Sequence, residues 1–446
     1  MAKMEGKSRI AIVGGGLVGS LAACFFAKRG HQVIVYEYRS DIRMENSPGQ
    51  SINLALSIRG QEALRAVGLE DDVIKCHCIR MRGRMIHHKN GNLKEIIYDS
   101  VKGNCIYSVN RRRLNMILLD AAEKYPEVQL SFNKKLIDAD LEKGKMKLLD
   151  TKTGLLEDAE ADLIIGADGA HSKIRGIMAR RPLFNCTQTY IEDLYVEFNV
   201  PPGKNNKFAM SGNSLHIWPR DQFMIISLPN VDRTFTSNLF ISSSILERMK
   251  SHFSYFATYF PDLLQIVGEE KLLDQITKQK AQPMISIKCK PYHVGKTALI
   301  IGDAAHAMVP FYAQGMNTGF EDVLLLDELM ERYNSDFAKI LPKFSELRCG
   351  DAHAICDLAM YNYKEMKYLV VKRTFLLRKL LDNILYRFMP NIWIPLYNSV
   401  QFTRMSFRDC LTNKEWQDKI IIRTLWCFGF LALAVLACCV SQNNYA

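Results

Sequence analysis

The chain opens on an apolar run, Ser8–Val13, which breaks into a glycine cluster and resumes as a helical stretch over Leu17–Arg29. A second apolar run, Val33–Tyr36, ends at Glu37, so the first forty residues read as strand, helix, strand. Helical periodicity returns over Leu54–Val67, closed by Gly68, and over Leu114–Lys124. Short runs at Gln129–Phe132 and Lys145–Leu149 follow, and Leu163–Ile165 reads as a buried strand ending at Gly166. From about Gln188 to Ser286 the texture changes. Tyr195–Val200, Ser214–Trp218, Phe223–Leu228 and Thr234–Phe240 read as antiparallel strands, and Phe253–Phe260 as a helix. The first texture then returns, with a strand at Ala298–Ile301 and a helix at Met316–Glu331. Asp351–Phe407 is mostly helical, interrupted near Pro390 and Pro395.

This pattern predicts an α/β fold: a dinucleotide-binding domain in two pieces (1–187 and 287–350) with an inserted β-sheet domain (188–286) that covers a site. A helical region (351–419) follows. The 446 residues are enough for a large core, and no fixed-period repeat is visible. From Leu425 to Val440 the chain is almost entirely apolar, and 420–440 carries one charge, Arg423. That length matches a bilayer span, so a transmembrane tail anchor over 420–440 is expected, with a buried helix as the alternative.

Charge supports the anchor. Net charge is +11, and Lys364–Arg423 holds 12 Lys and Arg against 5 Asp and Glu. With no nucleic-acid motif beside it, a basic stretch leading into an apolar one reads as membrane-proximal rather than as a nucleic-acid surface; a solvated helix face is the other reading. The 12 cysteines form no metal-binding or disulfide pattern, so no metal is expected. No secretory signal precedes the first strand, which leaves the catalytic part facing the cytosol.

The candidate chemistry begins with GxGxxG at Gly14, Gly16 and Gly19. Gly14 permits the tight turn, Gly16 lets backbone approach a pyrophosphate, and Gly19 lets helix and strand pack closely. Glu37 stands where a carboxylate accepts a ribose hydroxyl. The motif does not choose between FAD and NAD(P). Two later segments do: Ile164–Gly169 (IIGADG) with Ser172 and Arg175, and Leu299–His306 (LIIGDAAH) running on to Pro310 and Gln314–Gly319 (QGMNTG). They resemble the two further flavin motifs of flavoprotein hydroxylases. No second GxGxxG follows, so no dedicated NADPH domain is expected.

Over essentially its whole length the chain resembles the kynurenine-hydroxylating branch of the single-component FAD-dependent aromatic hydroxylases. The stretches that carry this are GGGLVGSLAACF (14–25), SINLALSIRG (51–60), MRGRMIH (81–87), LHIWPR (215–220), AQPMISIKC (281–289), GDAAHAMVPF (302–311), QGMNTGFED (314–322), MYNYKEM (360–366) and IPLY (394–397). The resemblance implies a Rossmann-type FAD-binding domain and an enzyme that takes L-kynurenine, NADPH and O2 to 3-hydroxykynurenine through a flavin C4a-hydroperoxide, in tryptophan breakdown. No catalytic side chain is implied, because the chemistry is the flavin's. For the substrate it implies Arg84 on the carboxylate, with Tyr98, Asn362, Tyr397, Glu365 and Met366 around the amino-acid head and Phe240 and Phe311 along the ring. A guanidinium suits a carboxylate because its planar fork bonds both oxygens. For FAD it implies Val18, Glu37, Arg39, Ala55, Arg111, Leu136, Asp168, Asp303, Met316 and Asn317 beside the glycines; the run Arg111-Arg112-Arg113 leaves that position open by one.

Arg84 could instead sit on a solvated strand face, Asn362 could be a satisfied core amide, Tyr98 and Tyr397 could be packing residues, and Phe240 and Phe311 general core. Two departures from the family pattern stand out. Ala313 occupies the first position of the usual GQGMN, and His171 and Lys173 flank Ser172 where tyrosine and threonine are expected. The family is also found at the mitochondrial outer membrane; the endoplasmic reticulum stays open. The rival functions are hydroxylation of another aromatic, and a non-catalytic membrane-anchored flavoprotein.

Overall fold

The computed structural model describes residues 7–44 and 53–443, with the side chains at 253, 255, 371, 428 and 435–443 outside the description. Its central sheet has six strands in the order His293–Val294, Ala298–Ile300, Leu163–Gly166, Arg9–Val13, Gln32–Glu37, Val128–Phe132. All but the first are parallel. Leu163–Gly166 is buried at every position, as an inner parallel strand covered on both faces must be. The helix Leu17–Lys28 packs over this sheet with ten of its twelve residues buried, which explains why it is apolar nearly all round.

A seven-stranded sheet forms the second layer, in the order Gln282–Lys290, Asn185–Val200, Phe235–Ser242, Phe223–Pro229, Ser214–Arg220, Gly83–His87, Leu93–Ile97. Its last two strands come from the first half of the chain, and Gly83–His87 runs parallel to Ser214–Arg220. Arg84 therefore rides on this second sheet. Four helices between Ser243 and Lys278 pack on its far side, where the pattern predicted one.

Elsewhere the structure differs from the pattern locally. The expected helix over Leu54–Val67 begins as a strand, Asn53–Leu56, paired with Ile106–Asn110, and becomes helical at Ile58–Ala66. Asn110 caps Arg111–Glu123 through the Arg113 N–H, so that helix starts three residues early. Phe337–Lys367 is one 31-residue helix that runs through the expected boundary at 350. Arg373–Phe388 and Leu396–Phe402 follow, broken by the Pro390–Pro395 segment as expected and also before Arg373.

The last helix, Phe407–Asn443, continues unbroken through the expected membrane segment. No helix among the described residues is long and apolar enough to cross a membrane. The end of the expected span 420–440 lies outside the described side chains.

Candidate active site

The glycine turn fits a pyrophosphate. Gly14 adopts φ +108°, and a Cβ there would lie 2.4 Å from the Ala167 carbonyl oxygen; one at Gly19 would lie 1.9 Å from that of Gly14. A Cβ on Gly16 would meet nothing within 4 Å, so this part of the turn is open. Glu37 is buried at the end of its strand, accepting from the Gly15 N–H at 2.8 Å and from the Arg39 side chain at 2.8 Å. Asp168 accepts from the Lys173 and Ile174 N–H groups through one oxygen, while its other oxygen is buried without a partner. Burial raises that carboxyl above its usual range. An orphaned acceptor beside an open glycine turn suits a ligand that brings donors.

Val18 packs against Gly302 and Gly319, locking the first glycine turn to the later one. Asp303 opens the short helix Asp303–His306 next to Gly315, where the helix Gly315–Arg332 begins and Met316 is buried. Asn317 spends its side chain on protein: it donates to the Ala55 and Ala313 carbonyls and accepts from the Ser57 N–H. It therefore fixes Ala55 and the helix start, leaving backbone for a ligand. Leu136 is buried in the main core. Arg112 donates to the Ile42 carbonyl, whereas Arg111 is exposed and its charge reaches Tyr195. Ser172 caps the helix Lys173–Met178 through the Arg175 N–H. Ala313 adopts φ 52°, ψ 36°, the left-handed region in which the glycine it replaces is unstrained.

All eight expected substrate residues converge. Arg84 is 4% exposed, with its guanidinium 3.1 Å from Glu365 and 4.6 Å from the centre of the Tyr397 ring. Burial pulls it down, but Tyr397, Glu365 and Tyr98 hold it above its ordinary pKa, so it stays charged. Tyr98 and Tyr397 stack with centroids 5.0 Å apart, and the Tyr98 hydroxyl is buried without a hydrogen-bond partner. Asn362 donates to the Phe311 carbonyl at 2.6 Å and to the Met366 sulfur, and its Oδ1 is buried and unpartnered. Phe311 lies 4.8 Å from Phe240 and 4.5 Å from Tyr363. A buried cation, unmet hydroxyl and amide groups and a wall of aromatic rings suit an amino acid with an aromatic side chain.

One feature around the site went unassigned in the sequence. Asp322 accepts from the Gly302 N–H (2.8 Å), His306 (2.6 Å) and Arg348 (2.6 Å). Arg348 also bonds Glu321, Asp351 and the Thr318 carbonyl, and Glu321 pairs with Arg59. This buried network holds the Gly302-Asp303 turn against the helix that starts at Gly315. The stretches GDAAHA and GFED held Gly302, His306, Glu321 and Asp322, but nothing local showed that these meet Arg348. Among the described residues no cluster of side chains could hold a metal ion.

Residues 7–345 match the family model described as FAD binding domain. A kynurenine 3-monooxygenase from Anopheles gambiae is 53% identical over 96% of this chain and 88% of its own length. Those from Drosophila willistoni and Sus scrofa are each 46% identical, over 98% and 95% of this chain and 97% and 90% of their own. Among solved structures, 2-methyl-3-hydroxypyridine-5-carboxylic acid oxygenase matches with a TM-score of 0.67 at 22% identity, over 83% of this chain and 95% of that one. PqsL from P. aeruginosa, in complex with 2-aminobenzoylacetate, matches at 0.65 and 16%, over 81% and 97%. At those identities the solved structures speak for the fold alone.

Proposed function

We propose that this chain, which belongs to the kynurenine 3-monooxygenase family, hydroxylates L-kynurenine to 3-hydroxykynurenine. Kynurenine, NADPH, a proton and O2 give the product, NADP+ and water. Bound FAD supplies the hydride acceptance and oxygen activation. Gly14, Gly16 and Gly19 with the helix start at Leu17 receive its pyrophosphate, Glu37 its ribose, and Asp168, Asp303 and the backbone at Met316 and Asn317 the remainder. The protein's remaining work is to hold the ring at near-attack distance and keep water out.

The observation that carries the substrate reading is the buried Arg84 between Tyr98, Tyr397 and Glu365. Arg84 receives the substrate carboxylate and Glu365 its ammonium group. The Asn362 Oδ1 and Tyr98 hydroxyl complete the head site, and Phe240 and Phe311 line the ring. Substrate-dependent NADPH oxidation, with kynurenine set beside hydroxybenzoates, tests this. Preference for a hydroxybenzoate would replace kynurenine with another aromatic.

The 420–440 part of the helix Phe407–Asn443 anchors the protein in a bilayer, at the mitochondrial outer membrane, with the catalytic part in the cytosol. Supporting this, Leu425, Trp426, Phe430, Leu431 and Leu433 are each more than 60% exposed, an arrangement unfavourable in water. Leu377, Leu380, Ile384 and Phe388 extend an exposed apolar stripe along Arg373–Phe388. Truncation before 420 should release the protein from isolated mitochondria; retention on the membrane would remove this assignment.

A further inference from the structure

Behind the aromatic wall of the pocket lies a triad of polar side chains, Asp193, Tyr363 and Lys367. In the strand Asn185–Val200, Val196, Phe198 and Val200 pack against the helices on the far side of the second sheet. Alternation turns Asp193 and Tyr195 to the other face, where Tyr195 is the cross-strand partner of Phe240. Pairing with Gln282–Lys290 shifts register between Tyr190 and Leu194, so Asp193 is not paired with that strand. Asp193 is 4% exposed and takes two donors from one turn of the helix Phe337–Lys367: the Tyr363 hydroxyl and, at 2.7 Å, the Lys367 ammonium. Residues four apart on a helix share a face, so both reach one carboxylate. Lys367 also bonds the Tyr363 oxygen at 2.7 Å, which closes the triad. Burial, then the bond to Asp193, pushes the Tyr363 hydroxyl well above its ordinary range, so it remains a donor.

The triad reaches the pocket through Phe311. The Tyr363 ring is centred 4.5 Å from that of Phe311, which is itself 4.8 Å from Phe240. Asn362, one residue before Tyr363, holds the Phe311 carbonyl. A buried ion pair adds little stability of its own, but it specifies geometry. Here it ties the end of the helix that carries Asn362, Glu365 and Met366 to the strand beside Phe240. We propose that Asp193, Tyr363 and Lys367 are positioning residues that set the place of the substrate ring, and so decide whether oxygen enters the ring or leaves as hydrogen peroxide. This rests on the kynurenine-type reading of the pocket.

The test is turnover by the full-length holoenzyme at saturating kynurenine, with 3-hydroxykynurenine and hydrogen peroxide both counted against the NADPH consumed. An unproductive turnover takes NADPH, a proton and O2 to NADP+ and H2O2. Asp193→Asn keeps the shape of the side chain and removes the charge that holds both donors. A ring displaced by about 1 Å can cost up to about 100-fold in rate, so kcat for hydroxylation should fall roughly tenfold while peroxide takes a several-fold larger share of the NADPH. KM should move little, because Arg84 rides on another strand. Tyr363→Phe keeps the ring on Phe311 and loses only the hydroxyl, so it should show a smaller rise in peroxide. A folded Asp193→Asn with the wild-type ratio of product to NADPH overturns the proposal whatever its melting temperature, since a merely structural role leaves that ratio alone. Should Asp193→Asn not fold, a wild-type ratio in Tyr363→Phe overturns it. Failure of wild type to hydroxylate kynurenine at all would instead remove the functional reading.

Discussion

Replacing Arg84 by methionine keeps much of the side chain's apolar stem and deletes only its charged fork. The guanidinium is 5% exposed and Glu365, its partner, 16%, so both sit largely out of water. A hydrogen bond to a charged group contributes about 1.5–3 kcal/mol, which corresponds to roughly 10–150-fold in substrate affinity. Arg84→Met should therefore bind kynurenine at least tenfold more weakly, with flavin content unchanged, since the glycine turn lies on other elements. Calorimetric titration and the flavin absorbance of the variant check both statements. Wild-type affinity in Arg84→Met would refute the assignment of the carboxylate to this guanidinium.

Three further outcomes follow from the geometry. Gly19→Ala should leave the purified protein without flavin absorbance, because the new methyl would stand 1.9 Å from the Gly14 carbonyl oxygen; normal flavin content would contradict the turn's role. Burial works to raise the Asp322 carboxyl, but His306 and Arg348 hold it below its usual value. A depressed carboxylate stabilises above its unfolded pKa of about 3.9, and that stability is lost as pH falls through the folded value. Asp322→Asn should therefore melt lower than wild type at pH 7, by about 3–5 kcal/mol of lost stability, and the gap should narrow as pH drops below about 4; a constant gap counts against the network. At Ala313 a glycine regains about 1 kcal/mol of backbone strain but makes the unfolded chain freer by a similar amount, whereas valine adds strain. Ala313→Gly should melt within a few degrees of wild type and Ala313→Val below both; the reverse order would contradict the left-handed conformation.

What the sequence made legible was local. The strand–glycine–helix unit at 9–28 and the strand ending at Gly166 depend on neighbours a few residues away, and their apolar runs mark them directly. The pocket residues were named through family resemblance, since nothing in the spacing of Arg84, Asn362 and Tyr397 shows that they meet. Long-range pairing was invisible: Gly83–His87 belongs to the second sheet only because it pairs with a strand that begins at Ser214. Leu54–Leu56, the end of the strand Asn53–Leu56, reads as helix in the sequence because a short apolar run fits either period. The charges of Glu321, Asp322 and Arg348 carry no local sign in the sequence that the fold buries them against one another. Part of the basic stretch is likewise spent on the protein's own carboxylates, with Lys367 on Asp193, Arg378 on Asp382 and Asp418, and Arg404 on Glu328.

The most direct test of the account is a single reaction: purified flavin-loaded protein, kynurenine, NADPH and 18O-labelled O2, with the product weighed by mass spectrometry. The account predicts one labelled oxygen on the kynurenine ring and NADPH consumed one for one. NADPH consumption that yields only hydrogen peroxide, or label arriving from water, would contradict it.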